Sequence, residues 1–85
     1  MNYGVTLGPR AVRDRKRLSR QVRQRVDAAV LILTDNPRPP GCLKMTNSDE
    51  WRIRVGQYRV RYLIDDSERR VSVVRIGHRR EVYDE

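Results

Sequence analysis

The stretch WRIRVGQYRVRY, residues 51–62, sets Arg52, Arg54, Arg59 and Arg61 in strict alternation with Trp51, Ile53, Val55, Tyr58, Val60 and Tyr62. Guanidinium groups do one kind of chemistry well: they fork onto phosphate oxygens and hold negative charge as it develops in a transition state. They make poor bases, because a guanidinium keeps its proton at any physiological pH. A second group follows Gly77, where His78, Arg79, Arg80 and Tyr83 fall within a few residues. His78 is the chain's only histidine, the residue type most used for proton transfer, and is equally a polar loop residue that packs or caps. Tyr83 offers an aromatic ring and a hydroxyl to this group, or is a terminal aromatic that closes the core. Glu50 shares the parity of Arg52 and Arg54 and serves as a base or pairs with them; pairing is the simpler expectation.

The elements that position these groups follow from the same pattern. Alternation with a period of two marks strands buried on one face. If Gly56 and Gln57 form a two-residue loop, with Gly56 supplying the positive φ that a type II′ turn needs, the register is fixed. Val55 faces Tyr58, Arg54 faces Arg59, Ile53 faces Val60, Arg52 faces Arg61 and Trp51 faces Tyr62. One face is then apolar and the other carries four guanidinium groups. Like charges directly opposite destabilise a sheet by roughly 0.2–1 kcal/mol per pair, so folding alone does not recommend this face. A solvated polar surface would tolerate it; a polyanion would recommend it.

Elsewhere, Tyr3, Val5 and Leu7 alternate as a short strand ended by Gly8-Pro9, with Pro9 suited to the first position of a helix. A basic helix is expected from Arg10 to about Leu18. Ser19 then caps a second helix, in which Val22, Val26, Ala29, Val30 and Leu33 form an amphipathic stripe. Asn36-Pro37 stops it, and 38–41 connect stiffly to the sheet. Asp65-Asp66-Ser67-Glu68 reads as a turn, and VSVVRI, 71–76, as a strand apolar at both parities and therefore central. The expected fold is α+β, one domain over residues 1–85, in the order β-α-α-β-β-β: a mainly antiparallel sheet with a two-helix hairpin on one face and the arginine face open.

Composition narrows the partner. Seventeen Arg and two Lys against 11 acidic residues give a net charge of +8 and a pI near 10.8, a balance that implies a nucleic acid, an anionic membrane or an acidic protein. No apolar run approaches the ~18–20 residues of a membrane span, and 1–10 lack the apolar core of a signal peptide, so the expected location is cytoplasmic. Cys42 has no second cysteine to bridge and no neighbouring Cys or His to complete a metal site, so neither metal nor other cofactor is expected. Arg10, Arg13, Arg15, Arg17, Arg20, Arg23 and Arg25 crowd the helical region, where a solvated face is the ordinary explanation.

The opening VTLGPRA at 5–11, NPRPPG at 36–41, WRIRVGQYRVRYLID at 51–65 and VVRIGHRREVY at 73–83 resemble, in order and spacing, the RelE/ParE superfamily of toxins, and within it the RelE-like mRNA interferases. The resemblance spans nearly the entire chain. It implies a ribosome-dependent endoribonuclease that arrests translation by metal-free attack of a 2′-hydroxyl on the adjacent phosphate. It also implies a catalytic set of Arg59 on the scissile phosphate, Arg79, and Tyr83 stacking on a splayed base or donating its hydroxyl, with His78 near the position where related toxins use a histidine. Arg52 and Arg54 match basic residues that are lysines in well-known members, which removes the proposed base of those members; with Arg61 they are expected to bind RNA. The implied partners are a cognate antitoxin, the ribosome with its mRNA, its ribosomal RNA contacted through the basic helices, and operator DNA for the toxin–antitoxin complex. Two alternatives remain open: a ParE-like inhibitor of DNA gyrase, which shares the fold but lacks the catalytic set, and a non-catalytic RNA-binding or ribosome-binding protein.

Overall fold

The computed structural model describes residues 2–82, with backbone only for 81 and 82. Pro9 opens α1 (Pro9–Lys16), which follows strand β1 (Gly4–Leu7). Ser19 caps α2 (Arg20–Ile32), its Oγ accepting the Val22 N–H at 3.2 Å, the side-chain acceptor that a helix start needs for its orphan donors. The chain then makes β2 (Leu43–Lys44), β3 (Trp51–Val55), β4 (Tyr58–Asp65), β5 (Arg70–His78) and a single turn, α3 (Arg79–Val82). The sequence predicts all of these except β2 and α3, both too short to carry a periodic signal. No helix among the described residues is long and apolar enough to cross a membrane.

The five strands form one sheet in the order β1-β5-β4-β3-β2. The β3–β4 register matches the expected one pair for pair, from Val55 opposite Tyr58 to Trp51 opposite Tyr62. Gly56 has φ +61°, and Gln57 is not among the positive-φ residues, which is the pattern of a type II′ rather than a type I′ turn. The one parallel pairing joins β1 to β5, Gly4 opposite Arg70 through Leu7 opposite Val73. It places β5 centrally, between β1 and β4.

The apolar residues at both parities of β5 have a second cause besides central position. A bulge opposite Arg61 and Tyr62 leaves Val74 without a partner on β4, so Val71, Val73 and then Ile76 all turn inward and are 0–1 % exposed. A regular strand would have put Arg75 into the core. The helices cover this apolar face. Ala11, Leu18, Val26 and Leu33 pack with Ile53, Val60, Tyr62, Val71, Val73 and Ile76 into one core. Tyr62, fully buried, donates its hydroxyl to the Pro37 carbonyl at 2.7 Å. Burial pushes its pKa upward, and the hydrogen bond meets the polar need that burial creates.

Where β1 stops, the edge of β5 is closed by the helical layer. Gly8 N–H donates to the Val73 carbonyl at 2.9 Å. Beyond it, Asp14 Oδ2 of α1 accepts the Ile76 N–H at 2.9 Å and Arg75 Nε at 2.8 Å. A carboxylate here satisfies an edge donor and holds a guanidinium at once.

Candidate nucleic-acid interface

The sheet face away from the helices carries two cross-strand rows. Arg54, Arg59 and Gly77 stand opposite one another across β3, β4 and β5, and Arg52, Arg61 and Arg75 form the next row. The expected like-charge register is present, but the residues of the second row are not equivalent. Arg61 Nε donates to Glu50 Oε1 at 2.7 Å, with the two side chains only 14 % and 18 % exposed. Arg75 turns toward α1 and pairs with Asp14. Two of the five arginines in these rows are thus held by the chain's own carboxylates, and Glu50 takes the pairing role.

Arg52 and Arg59 open onto a concavity of about 310 Å³ whose other lining residues are Arg79 and Arg80. Two strands and the turn after β5 converge there. The Arg79 N–H donates to the Gln57 carbonyl at 2.9 Å, fastening α3 to the tip of the β3–β4 hairpin. That contact fixes where the α3 arginines emerge. Nη1 of Arg59 is shielded from solvent, so this guanidinium is seated rather than swinging in water. Four guanidinium groups around one small hollow concentrate positive potential, and such a site accepts a phosphate by paired N–H donation.

The other candidate residues are distributed differently. Arg54 is exposed and lines a separate apolar concavity with Ala29, Ile32, Pro39, Pro40, Leu43 and Ile53. β2 pairs only with Trp51 and Arg52, so the edge of β3 beside Arg54 is open toward α2. His78 lies opposite Tyr58, on the helix-facing side of the sheet, its ring 5.6 Å from the Tyr58 ring in a T-shaped contact. Its Nδ1 accepts the Arg80 N–H at 3.2 Å. The imidazole and the arginine hollow therefore occupy opposite sides of the sheet. Tyr83 lies outside the described residues. Arg80 lines the hollow although the sequence pattern assigns it no role; its signal is adjacency to Arg79 on a turn that starts there.

Several helix arginines have structural partners. Arg15 forms a bidentate pair with Asp27, 2.9 and 2.7 Å. Arg23 donates to the carbonyls of Arg15 at 3.3 Å and Leu18 at 3.0 Å, tying α2 to the end of α1 and the residues just after it. Among the described residues no group of three or more His, Cys, Asp or Glu could hold a metal ion.

Comparison with known proteins agrees with this architecture. Residues 5–83 match the family model described as the ParE toxin of the type II toxin-antitoxin system parDE. Among solved structures, the chain resembles the archaeal RelE in its complex with RelB from Pyrococcus horikoshii, with 24 % identity, 93 % of this chain and 97 % of that one covered, and a TM-score of 0.83. It also resembles a chain of the RelBE2 toxin-antitoxin complex of Mycobacterium tuberculosis, with 27 % identity, 93 % and 100 % covered, and a TM-score of 0.80. The intact RelBE complex of E. coli contains a third, with 23 % identity, 89 % and 95 % covered, and a TM-score of 0.79. Comparison with curated proteins finds no significant match. A family match running over nearly all of the chain, on a fold shared with RelE structures, makes this protein a member of the ParE toxin family of type II toxin–antitoxin systems, within the RelE/ParE superfamily.

Proposed function

We propose that this toxin acts as an endoribonuclease that cuts mRNA on the ribosome and so arrests translation in the cytoplasm. The observation that carries this reading is the convergence of Arg52, Arg59, Arg79 and Arg80 on one hollow of about 310 Å³. A 2′-hydroxyl attacks the neighbouring phosphate, its proton leaves, and the 5′ oxygen departs with a proton. Negative charge rises on the phosphate oxygens between these events. Arg59, seated at the centre of the sheet, and Arg79, fixed by the hairpin tip, are placed to hold that charge, with Arg52 and Arg80 tracking the flanking backbone. Tyr83, which follows α3, is assigned to stack on the displaced base and to donate its hydroxyl. His78 serves the proton transfers only if the chain end rearranges on the ribosome, because its ring opens on the other side of the sheet. Arg54 and Arg61 then contribute to binding rather than to the reacting phosphate.

The partner that silences such an enzyme is an antitoxin, as the RelB and RelE components of the related complexes suggest. An acidic or amphipathic segment suits the open arginine face, and the joint complex is expected to bind its operator DNA. The exposed arginines of the helices are assigned to ribosomal RNA.

A translation assay with mapping of mRNA cut sites tests the activity. Arg59→Ala should lower cleavage about 10²–10³-fold, the loss typical of one preorganised donor at a developing anion, with the thermal transition unchanged. The family model carries the ParE description, so gyrase inhibition is the second reading. Blocked supercoiling with mRNA left intact would favour it and refute the nuclease.

A further inference from the structure

A second concavity, of about 320 Å³, opens on the helix side of the sheet at the end of β5. It is lined by Asp14, Arg17, Leu18, Tyr58 and residues 75–78. Its size falls at the small end of the ~300–1,000 Å³ usual for small-ligand sites. Its chemistry is arranged in three zones. Leu18 and Ile76, 8 % and 1 % exposed, supply an apolar floor. Tyr58 and His78 supply an aromatic wall, and their 79° interplanar angle means that they do not stack face to face on each other. Polar groups and a cation stand around them.

The polar groups have capacity left. His78 Nδ1 accepts the Arg80 N–H, so in the neutral ring the proton resides on Nε2, which remains a donor. Asp14 Oδ2 takes both Arg75 Nε and the Ile76 N–H, whereas Oδ1 has only a 3.4 Å contact to Arg75 Nη2. That leaves Oδ1 able to accept from a further donor. Arg17 is exposed at the rim. An apolar floor with an aromatic wall, one donor and one acceptor at the edge, and a guanidinium outside is the complement of a nucleobase with its phosphate.

We infer that this concavity binds a purine nucleotide of the RNA, its base against Tyr58 and His78 and its phosphate on Arg17. The inference rests on the proposed RNA-directed activity and adds a binding subsite to it. Consecutive residues connect the two sites: His78 lines this concavity, and Arg79 and Arg80 line the arginine hollow. An RNA strand leaving the hollow therefore passes round the end of β5 into the concavity. A purine is favoured over a pyrimidine by its larger stacking face, and the carboxylate oxygen is suited to the amino and imino hydrogens of guanine.

The single histidine makes the test direct, since its ring lines this concavity and its ring-proton NMR signals belong to one residue. Guanosine 5′-monophosphate added to the full chain should shift the His78 signals saturably, whereas inorganic phosphate at the same concentration should not. Tyr58→Leu should weaken that binding about tenfold or more, as loss of one base stack does, and Arg17→Ala, an exposed change that spares the core, should weaken it as well. Arg59→Ala should leave the His78 response intact, which separates this subsite from the cleavage reaction: full mRNA cleavage retained in Arg59→Ala would refute the catalytic assignment and not the subsite. No shift with the nucleotide, an equal shift with phosphate, or a response lost in Arg59→Ala and kept in Arg17→Ala would each overturn the inference.

Discussion

At the scale of single residues, the arginines divide by the company they keep. Arg61 and Arg75 are held by Glu50 and Asp14, while Arg52, Arg59, Arg79 and Arg80 surround the hollow. This division separates two roles for Glu50. As the partner of a mostly buried guanidinium, it should cost about 1–3 kcal/mol of stability when changed to Gln, because a desolvated charge loses its match. Chemical denaturation reads that loss directly. RNA cleavage by the same variant should stay within a few-fold of the parent; a fall as large as that of Arg59→Ala would make Glu50 the base instead. Gly56 is constrained in another way. It holds φ +61°, and a Cβ there would lie 3.0 Å from Arg25 Nη2. Gly56→Val should therefore destabilise by ~1 kcal/mol or more through backbone strain alone, seen as a lower thermal midpoint.

At the scale of elements, the hairpin was readable from sequence because a two-residue turn and strict alternation leave only one register. The positions of His78 and Arg54 were not. Counting alternation from Val71 without a bulge would put His78 on the arginine side; the extra residue Val74 reverses the parity, and no residue type at 73–75 announces it. Arg54 shares the predicted face by register, yet β2 is two residues long and leaves its edge uncovered. The Asp14 contact joins positions 61 and 62 residues apart, beyond the reach of local pattern. It carries a prediction for the element it closes. Asp14→Ala strips an acceptor from both the Ile76 N–H and Arg75, and should cost about 1–3 kcal/mol. Hydrogen exchange at Ile76 should quicken ahead of that at Val60, in the sheet's interior; equal protection in the variant would show that the edge is closed by something else.

At the scale of the whole molecule, charge governs both stability and binding. Four aspartates sit below the usual carboxylate value of 3.8. Burial alone would raise Asp14, but the Arg75 guanidinium and the Ile76 N–H outweigh it. Arg15 lowers Asp27, the Ser67 hydroxyl and Glu68 N–H lower Asp65, and Arg38 with the Tyr3 hydroxyl lowers Asp66. A depressed folded-state value stabilises the fold above the unfolded value and is lost as pH falls through the folded one. The thermal midpoint should therefore be level above pH ~5 and drop steeply below pH ~4, in a calorimetric pH series. Binding of single-stranded RNA should weaken with salt at a log–log slope near −0.7 per phosphate contact, about −3 for the four arginines of the hollow. A flat salt response in fluorescence anisotropy would contradict an electrostatic grip. The parallel β1–β5 pairing acts at this scale too, since Gly4 meets Arg70 only after a very long loop closes, a slow and entropically costly event. Until then the backbone of 70–73 is an unguarded ladder, open to any extended peptide that arrives first. Variants that weaken the first strand should therefore betray themselves by aggregating during refolding before they lose any activity once folded.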